Sequence, residues 1–303
     1  MAEPLAPPFE DLRRAASTVT QQVGPSVVRV GRHGGRGCGL VVADGHVLTN
    51  SHNLRDRTTE VTFADGRSVQ AEVVAVDPDG DLAVLAVDTA AAPALAWADR
   101  AAGQGDVVFA VTRTSGGDDR VSFGMVSGVD RAFRGPRGRR ISGSLEHTVP
   151  LVRGSSGSPV VDAAGLVVGI NTARLGDGFY LAIPADADLR ERVDALLRGE
   201  SPRRLVLGVG IARPEVAARL RASVGLSERA GLLVRSVDPG SPAGRAGIAV
   251  GDLLIAADGR DIAAIDDLHD ALEVARSTGA LALRAVRGTD ELDLAVSFDD
   301  ADA

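Results

Sequence analysis

The run Gly154-Ser155-Ser156-Gly157-Ser158-Pro159 lies between two apolar stretches of a 303-residue chain. Three readings compete for it. Gly and Ser are ordinary loop residues, so a surface loop is the plainest. A phosphate cradle needs a Gly-rich loop ending in Lys and a hydroxyl residue, and the chain contains no lysine. The third reading is a strained turn that presents a serine nucleophile beside two backbone N–H groups. A hydroxyl is a weak nucleophile at neutral pH. It needs a neighbouring base, usually His, and that His needs a carboxylate to fix its tautomer.

The chain offers five histidines, His33, His46, His52, His147 and His269. His52 stands out because it follows the apolar stretch in "VLTNSH", where a side chain can point out of a barrel end. Taken alone it reads as a surface histidine. Asp81 opens "DLAVLAV" after the turn "DPDG". A carboxylate at the head of a buried strand suits a His-orienting role; the plain alternative is a turn-capping Asp, as expected of Asp77 and Asp79.

The elements that must position these residues are short. From Val27 to Val111, runs of β-branched residues alternate with Gly and Asp, and the "ADG" turns at 43–45 and 64–66 signal hairpins. Further strands are expected at 107–111, 121–129, 145–149, 159–162, 165–171 and 179–183. Many short strands without long helices imply an all-β barrel or sandwich. Phe9, Leu12, Ala16, Val19 and Val23 recur at helical spacing, and a second helix is expected over 185–198. Gly199 and Pro202 then mark a boundary. A second unit follows, with strands near 206–211, 231–237, 252–257, 280–286 and 292–298 and helices near 213–223 and 266–277.

Composition bounds the function. Hydrophobic residues make up 45% and charged residues 24%, the balance of a globular chain with sizeable cores. Aromatics are 3%, so the cores must rest on Val, Leu, Ile and Ala. A net charge of −8 argues against nucleic acid as a partner. Cys38 is the single cysteine, which excludes an intrachain disulfide; it reads as a small buried hydrophobe. No apolar run is long enough to span a membrane. The opening "MAEPLAPPFEDLRR" lacks a basic region followed by an apolar one, so the expected location is cytoplasmic.

His, Asp and Ser in that order, each on a separate β segment, resemble the trypsin-like fold and, more narrowly, the HtrA (DegP) family of serine proteases. Thr49-Asn50-Ser51-His52-Asn53-Leu54 is similar to the family's "TNxHVV", Asp81 to Leu85 matches "DLAVL", and Gly154 to Pro159 stands where "GNSGGP" does. "GLVVGINTA" (165–173) and "GFYLAIP" (178–184) are similar to the strands after the family's nucleophile. In the second unit, "SPAGRAGI" and "GDLLIAADG" resemble a PDZ domain.

The resemblance implies a mostly β chain: an N-terminal segment with a short helix (1–23), a trypsin-like double β-barrel protease domain (24–200) and an α+β PDZ domain (203–299). It implies a serine endopeptidase with His52 as base, Asp81 orienting it and Ser156 attacking. The oxyanion hole falls to the Gly154–Ser155–Ser156 turn. Val149, Pro150, Leu151, Val152 and Arg153 would line the specificity pocket. They offer no acidic group, so cleavage after aliphatic rather than basic residues is expected. Val206, Leu207, Gly208 and Val209 would form the PDZ groove with the helix at 266–277 and catch a peptide carboxylate.

No metal or organic cofactor is implied. Unfolded or damaged proteins are the implied substrates, C-terminal peptide tails the implied PDZ ligands and regulators, and a homo-trimer the family assembly. The chain departs from the pattern at Asn53, Arg153, Ser155 and Ser158. "RAFRGPRGRR" (131–140), with five Arg, reads as a solvated loop and falls where the family has a sensor loop. The altered 153–158 loop supports a rival reading, a catalytically weak PDZ-containing binding or scaffold protein. The intact His, Asp and Ser count against it.

Overall fold

Valine-rich runs punctuated by Gly and Asp close here into two six-stranded barrels. The computed structural model describes residues 7–31, 37–55, 58–114, 119–134, 140–202, 205–226 and 229–298. The first barrel is built from β1 (Val27–Val30), β2 (Gly37–Ala43), β3 (His46–Thr49), β4 (Thr58–Thr62), β5 (Ser68–Asp77) and β6 (Leu82–Ala86), closed in the order β1-β2-β3-β6-β5-β4. The second uses β7 (Val107–Arg113), β8 (Asp119–Arg134), β9 (Arg140–His147), β10 (Pro159–Val161), β11 (Val167–Gly176) and β12 (Phe179–Pro184), closed in the order β10-β11-β12-β9-β8-β7. Closure leaves no unpaired sheet edge in either barrel.

Why the strands read as near-continuous apolar runs is visible in their packing. Val28 and Val30 of β1 pack with Val41, Val47 and Leu85, while Val27, directly before them, joins a different cluster with Leu40, Phe109 and Ile170. In β7, Val108 and Ala110 pack with Val126 and Leu145, while Phe109 and Val111 face the larger cluster. Alternate residues therefore bury on opposite faces of the same strand. The larger cluster also takes Val19 and Val23 of α1 (Pro7–Val23) and Leu189, Val193 and Leu196 of α2 (Ala187–Leu197). The N-terminal helix is thus part of this core. α2 starts where expected, its N-cap Asp186 accepting from the Leu189 N–H at 2.9 Å.

Residues 1–202 and 203–303 form two compact units. The second holds a sheet in the order β13-β14-β15-β17-β18, from β13 (Val209–Ile211), β14 (Leu232–Val237), β15 (Leu253–Ala257), β17 (Ala280–Arg287) and β18 (Asp290–Ser297); β16 (Arg260–Asp261) pairs with β15. Helices α3 (Pro214–Ser223), α4 (Pro242–Arg245) and α5 (Ile265–Thr278) complete it. Asp267 opens α5 by accepting from the backbone N–H groups of Ala263 and Ala264 at 2.8 and 2.7 Å. β13 lies at one end of the sheet order, with a single partner strand.

Candidate active site

Two loops and one strand of the first unit meet at one carboxylate. Asp81, directly before β6, sits at φ 56°, a backbone region that Asp tolerates better than most residues. It is pinned there by two donors to its carbonyl oxygen, Asn50 Nδ2 at 2.9 Å and the Ser51 N–H at 3.2 Å. The side chain is buried and takes hydrogen bonds from four donors. Oδ1 takes the His52 backbone N–H at 3.1 Å and the Ser51 hydroxyl at 3.0 Å. Oδ2 takes His52 Nδ1 at 2.8 Å and the Thr172 hydroxyl at 2.7 Å. His52 belongs to the single 3-10 turn Ser51–Asn53 after β3. With Nδ1 donating to a carboxylate, Nε2 is left on the far side of the ring as the free base position.

The serine turn is shaped by its glycines and by the residues beneath it. Gly154 and Gly157 take φ 85° and 88°. A Cβ on Gly157 would lie 2.1 Å from the Cys38 carbonyl oxygen, so only glycine fits. The Ser156 carbonyl accepts from the Cys38 N–H at 2.8 Å and from Asn53 Nδ2 at 2.9 Å. Among the described residues, the N–H groups of Gly154 and Ser156 donate to no acceptor, whereas that of Ser155 is engaged with the Val152 carbonyl at 3.3 Å. Two of the three expected oxyanion positions therefore present open donors. The Ser156 hydroxyl donates to the Thr172 carbonyl at 3.1 Å and not to His52.

A pocket of about 280 Å³ adjoins Ser156. Its lining takes Leu151, Val152 and Arg153, the turn Gly154 to Ser156, and Asn171, Thr172, Ala173, Arg174 and Tyr180. Val149 is fully buried behind it and Pro150 is exposed, and neither lines it. The residues not singled out from sequence come from β11 and β12. A signal was there to read: consecutive Asn171 and Thr172 interrupt an otherwise buried apolar strand, and buried polar side chains need partners.

Two of the chain's departures from the family pattern, Asn53 and Ser158, are hydrogen-bonded into this site. Asn53 clamps the Ser156 carbonyl and also donates to Thr49 Oγ1 at 3.1 Å. Ser158 Oγ accepts from Asn171 Nδ2 at 2.9 Å, and Asn171 Oδ1 faces His147 Nε2 at 2.8 Å. His147 Nδ1 accepts the Val149 N–H at 3.2 Å. That pattern fits a neutral imidazole, and burial pushes the His147 pKa down to about 4. Cys38 is buried, its thiol pKa raised by desolvation. His33 lies outside the described residues, as do 135–139 of the arginine-rich loop.

In the second unit, Val206 is exposed, Leu207 is buried in the core, and the Gly208 carbonyl accepts from the Asp238 N–H at 2.9 Å. The strand expected at 206–211 begins only at Val209, because Val206 to Gly208 form the connection ahead of it. Among the described residues, the N–H groups of Leu207 and Gly208 have no acceptor.

This architecture agrees with comparisons to known proteins. The trypsin-like peptidase domain model matches residues 37–170 and the PDZ domain model residues 233–286. A serine protease named HhoB from Synechocystis sp. is 30% identical over 273 residues, covering 85% of this chain and 64% of that protein. A DegP-like periplasmic serine endoprotease of Pseudomonas fluorescens is 33% identical over 261 residues, covering 83% and 53%. The solved structure of the HtrA-type protease AlgW with a decapeptide superposes with a TM-score of 0.68 at 25% identity, covering 93% of this chain and 97% of that one.

The chain carries a trypsin-like peptidase domain and a PDZ domain and is similar to the HtrA/DegP-type serine proteases.

As in the HtrA proteases, a trypsin-like double barrel is followed by a PDZ-like sheet. The chain spans less than two thirds of the length of the curated relatives given above. The expected cytoplasmic location is corrected by these comparisons. HtrA relatives from Pseudomonas fluorescens and Brucella suis are named as periplasmic and one from Arabidopsis thaliana as chloroplastic, which points to an exported location. The missing leader pattern was a weak guide, since it reports only on the residues at hand. Among the described residues, no helix is long and apolar enough to cross a membrane.

Proposed function

We propose that this protein is a serine endopeptidase that hydrolyses peptide bonds in unfolded or damaged proteins. The observation that carries the reading is Thr172: its hydroxyl holds the Asp81 carboxylate that holds His52, while its carbonyl takes the Ser156 hydroxyl. In the reaction Ser156 Oγ rotates from the Thr172 carbonyl to His52 Nε2. His52 accepts the proton as Oγ attacks the scissile carbonyl, and the Gly154 and Ser156 N–H groups hold the oxyanion. His52 then protonates the leaving amine, and water attacks the acyl-enzyme by the same route. Asp81 keeps the ring in the required tautomer throughout.

The assignment places the peptidase in residues 24–200 and a peptide-binding PDZ domain in 203–299. Peptide binding is a property of the family, and AlgW was solved with a decapeptide. In this chain the lone-partnered edge strand β13 receives a peptide as an added strand, and the open Leu207 and Gly208 N–H groups catch its C-terminal carboxylate. Bound tails tune the cleavage rate. Cleavage of casein tests the catalytic reading. The wild-type protein should degrade it and Ser156→Ala should not; an equal rate in the variant overturns the assignment.

A further inference from the structure

The pocket beside Ser156 contains a seated cation. The Arg174 Cζ lies 5.7 Å from the centroid of the Tyr180 ring, within the range where a ring face attracts a guanidinium. Tyr180 is itself held on two sides. It stacks on the buried His147 ring with centroids 5.9 Å apart, and its hydroxyl donates to the Leu151 carbonyl at 3.4 Å. Arg153 stands in the same lining. Among the described residues, neither arginine has a carboxylate or carbonyl partner, and the lining includes no acidic side chain.

The remaining walls sharpen the picture. Leu151, Val152 and Ala173 are apolar. The Asn171 amide is already committed to His147 and Ser158, which leaves little for a ligand. The pocket thus combines apolar side chains with one guanidinium set over a ring and a second in the same lining. A short side chain ending in a carboxylate matches that composition: methylenes against the apolar sides, oxygens on Arg174. The chain as a whole carries a net charge of −8, so a local cationic site distinguishes this spot from its surroundings.

We propose that this pocket selects an acidic side chain, Glu or Asp, in the residue preceding the cleaved bond, with Arg174 as the specificity-determining residue. The proposal rests on Ser156 being the nucleophile. It departs from the aliphatic preference expected of Val149 to Val152, because β11 adds Arg174 to the pocket lining, which Val149 and Pro150 do not reach.

The test uses acetylated, amidated peptides identical except for Glu, Gln, Val or Lys before the cleaved bond; amidation denies the second unit a free C-terminus. For the wild-type protein, kcat/KM for Glu should exceed that for Gln by about fivefold, the upper end for a partly exposed ion pair. The ratio should fall as salt is added. Arg174→Leu should bring it toward one, and Arg174→Glu should turn the preference toward Lys. The same peptides are also titrated against Ser156→Ala by fluorescence anisotropy, with and without Arg174→Leu. Equal cleavage and equal binding of the Glu and Gln peptides, or a ratio indifferent to Arg174, overturns the proposal even if casein is degraded. Glu-selective, Arg174-dependent binding without any cleavage by the wild type upholds the pocket and sinks the hydrolase reading instead.

Discussion

The Ser156 hydroxyl donates to the carbonyl oxygen of Thr172 at 3.1 Å, and the same Thr172 donates its own hydroxyl to Asp81 at 2.7 Å. One residue of β11 thereby touches both ends of the proposed catalytic relay and engages the Ser156 hydroxyl away from His52. Replacing Thr172 with Val keeps the shape and the carbonyl but removes the donor to Asp81. A hydrogen bond to a charged group contributes about 1.5–3 kcal/mol, so kcat should fall roughly ten- to hundredfold with a smaller change in KM. Steady-state kinetics with a fluorogenic peptide decides it. An unchanged kcat would show that Thr172 does not position Asp81.

Asn53 lies next to His52 in sequence and reaches across to the Ser156 carbonyl at 2.9 Å. It ties the turn of His52 to the turn of Ser156. Asn53→Ala should cost about 1 kcal/mol, because the Cys38 N–H still serves that carbonyl. Asn53→Asp sets an acceptor against an acceptor and should cost more. Urea unfolding of the three proteins checks the order. An Asp variant as stable as wild type contradicts it.

His147 makes stability depend on pH. Its folded-state pKa, about 4, lies below the ordinary 6.5, so the unfolded chain binds the proton first. The contribution is therefore complete above pH 6.5, declines as pH falls toward 4 and levels off below that. Across this window the loss should amount to roughly 3 kcal/mol. His147→Gln should flatten that part of the stability curve while leaving the carboxylate-driven decline at lower pH. Superimposable curves for the two proteins between pH 4 and 6.5 would falsify this cause.

What the sequence made legible follows from how local each signal is. His52 and Asp81 stand at the ends of short apolar strands, and the Gly154–Pro159 run has a composition that few other turns share. The strands themselves show through β-branched runs and Gly or Asp breaks. Strand starts blurred where side chains override pattern: Val206 reads as strand but lies in the connection before β13. Thr172, Arg174 and Tyr180 act through contacts with residues distant in sequence, such as Thr172 with Asp81 across 91 positions. Barrel closure creates those neighbours, and no local pattern announces them. The same holds for Asn53 and Ser158, visible as departures from a pattern but not as partners of Ser156 and Asn171.

Capture of a C-terminus by the second unit makes a separate prediction. A peptide ending in an apolar residue with a free carboxylate should bind at least about tenfold tighter than its amide, since hydrogen bonds to a charged acceptor are the stronger class. Isothermal calorimetry on the full chain measures both. Equal affinities contradict carboxylate capture at Leu207 and Gly208.

The most direct measurement concerns Ser156 itself. A fluorophosphonate reacts only with a serine whose proton can be taken up by a neighbouring base, so labelling reports the nucleophile without a substrate. The full-length protein is treated with the probe, digested, and the adduct located by mass spectrometry. Phosphonylation confined to Ser156, absent in Ser156→Ala and strongly slowed in His52→Ala, is the expected result. A folded wild-type protein that carries no adduct at Ser156, or one labelled there just as fast without His52, contradicts the assignment of this site as a serine peptidase centre.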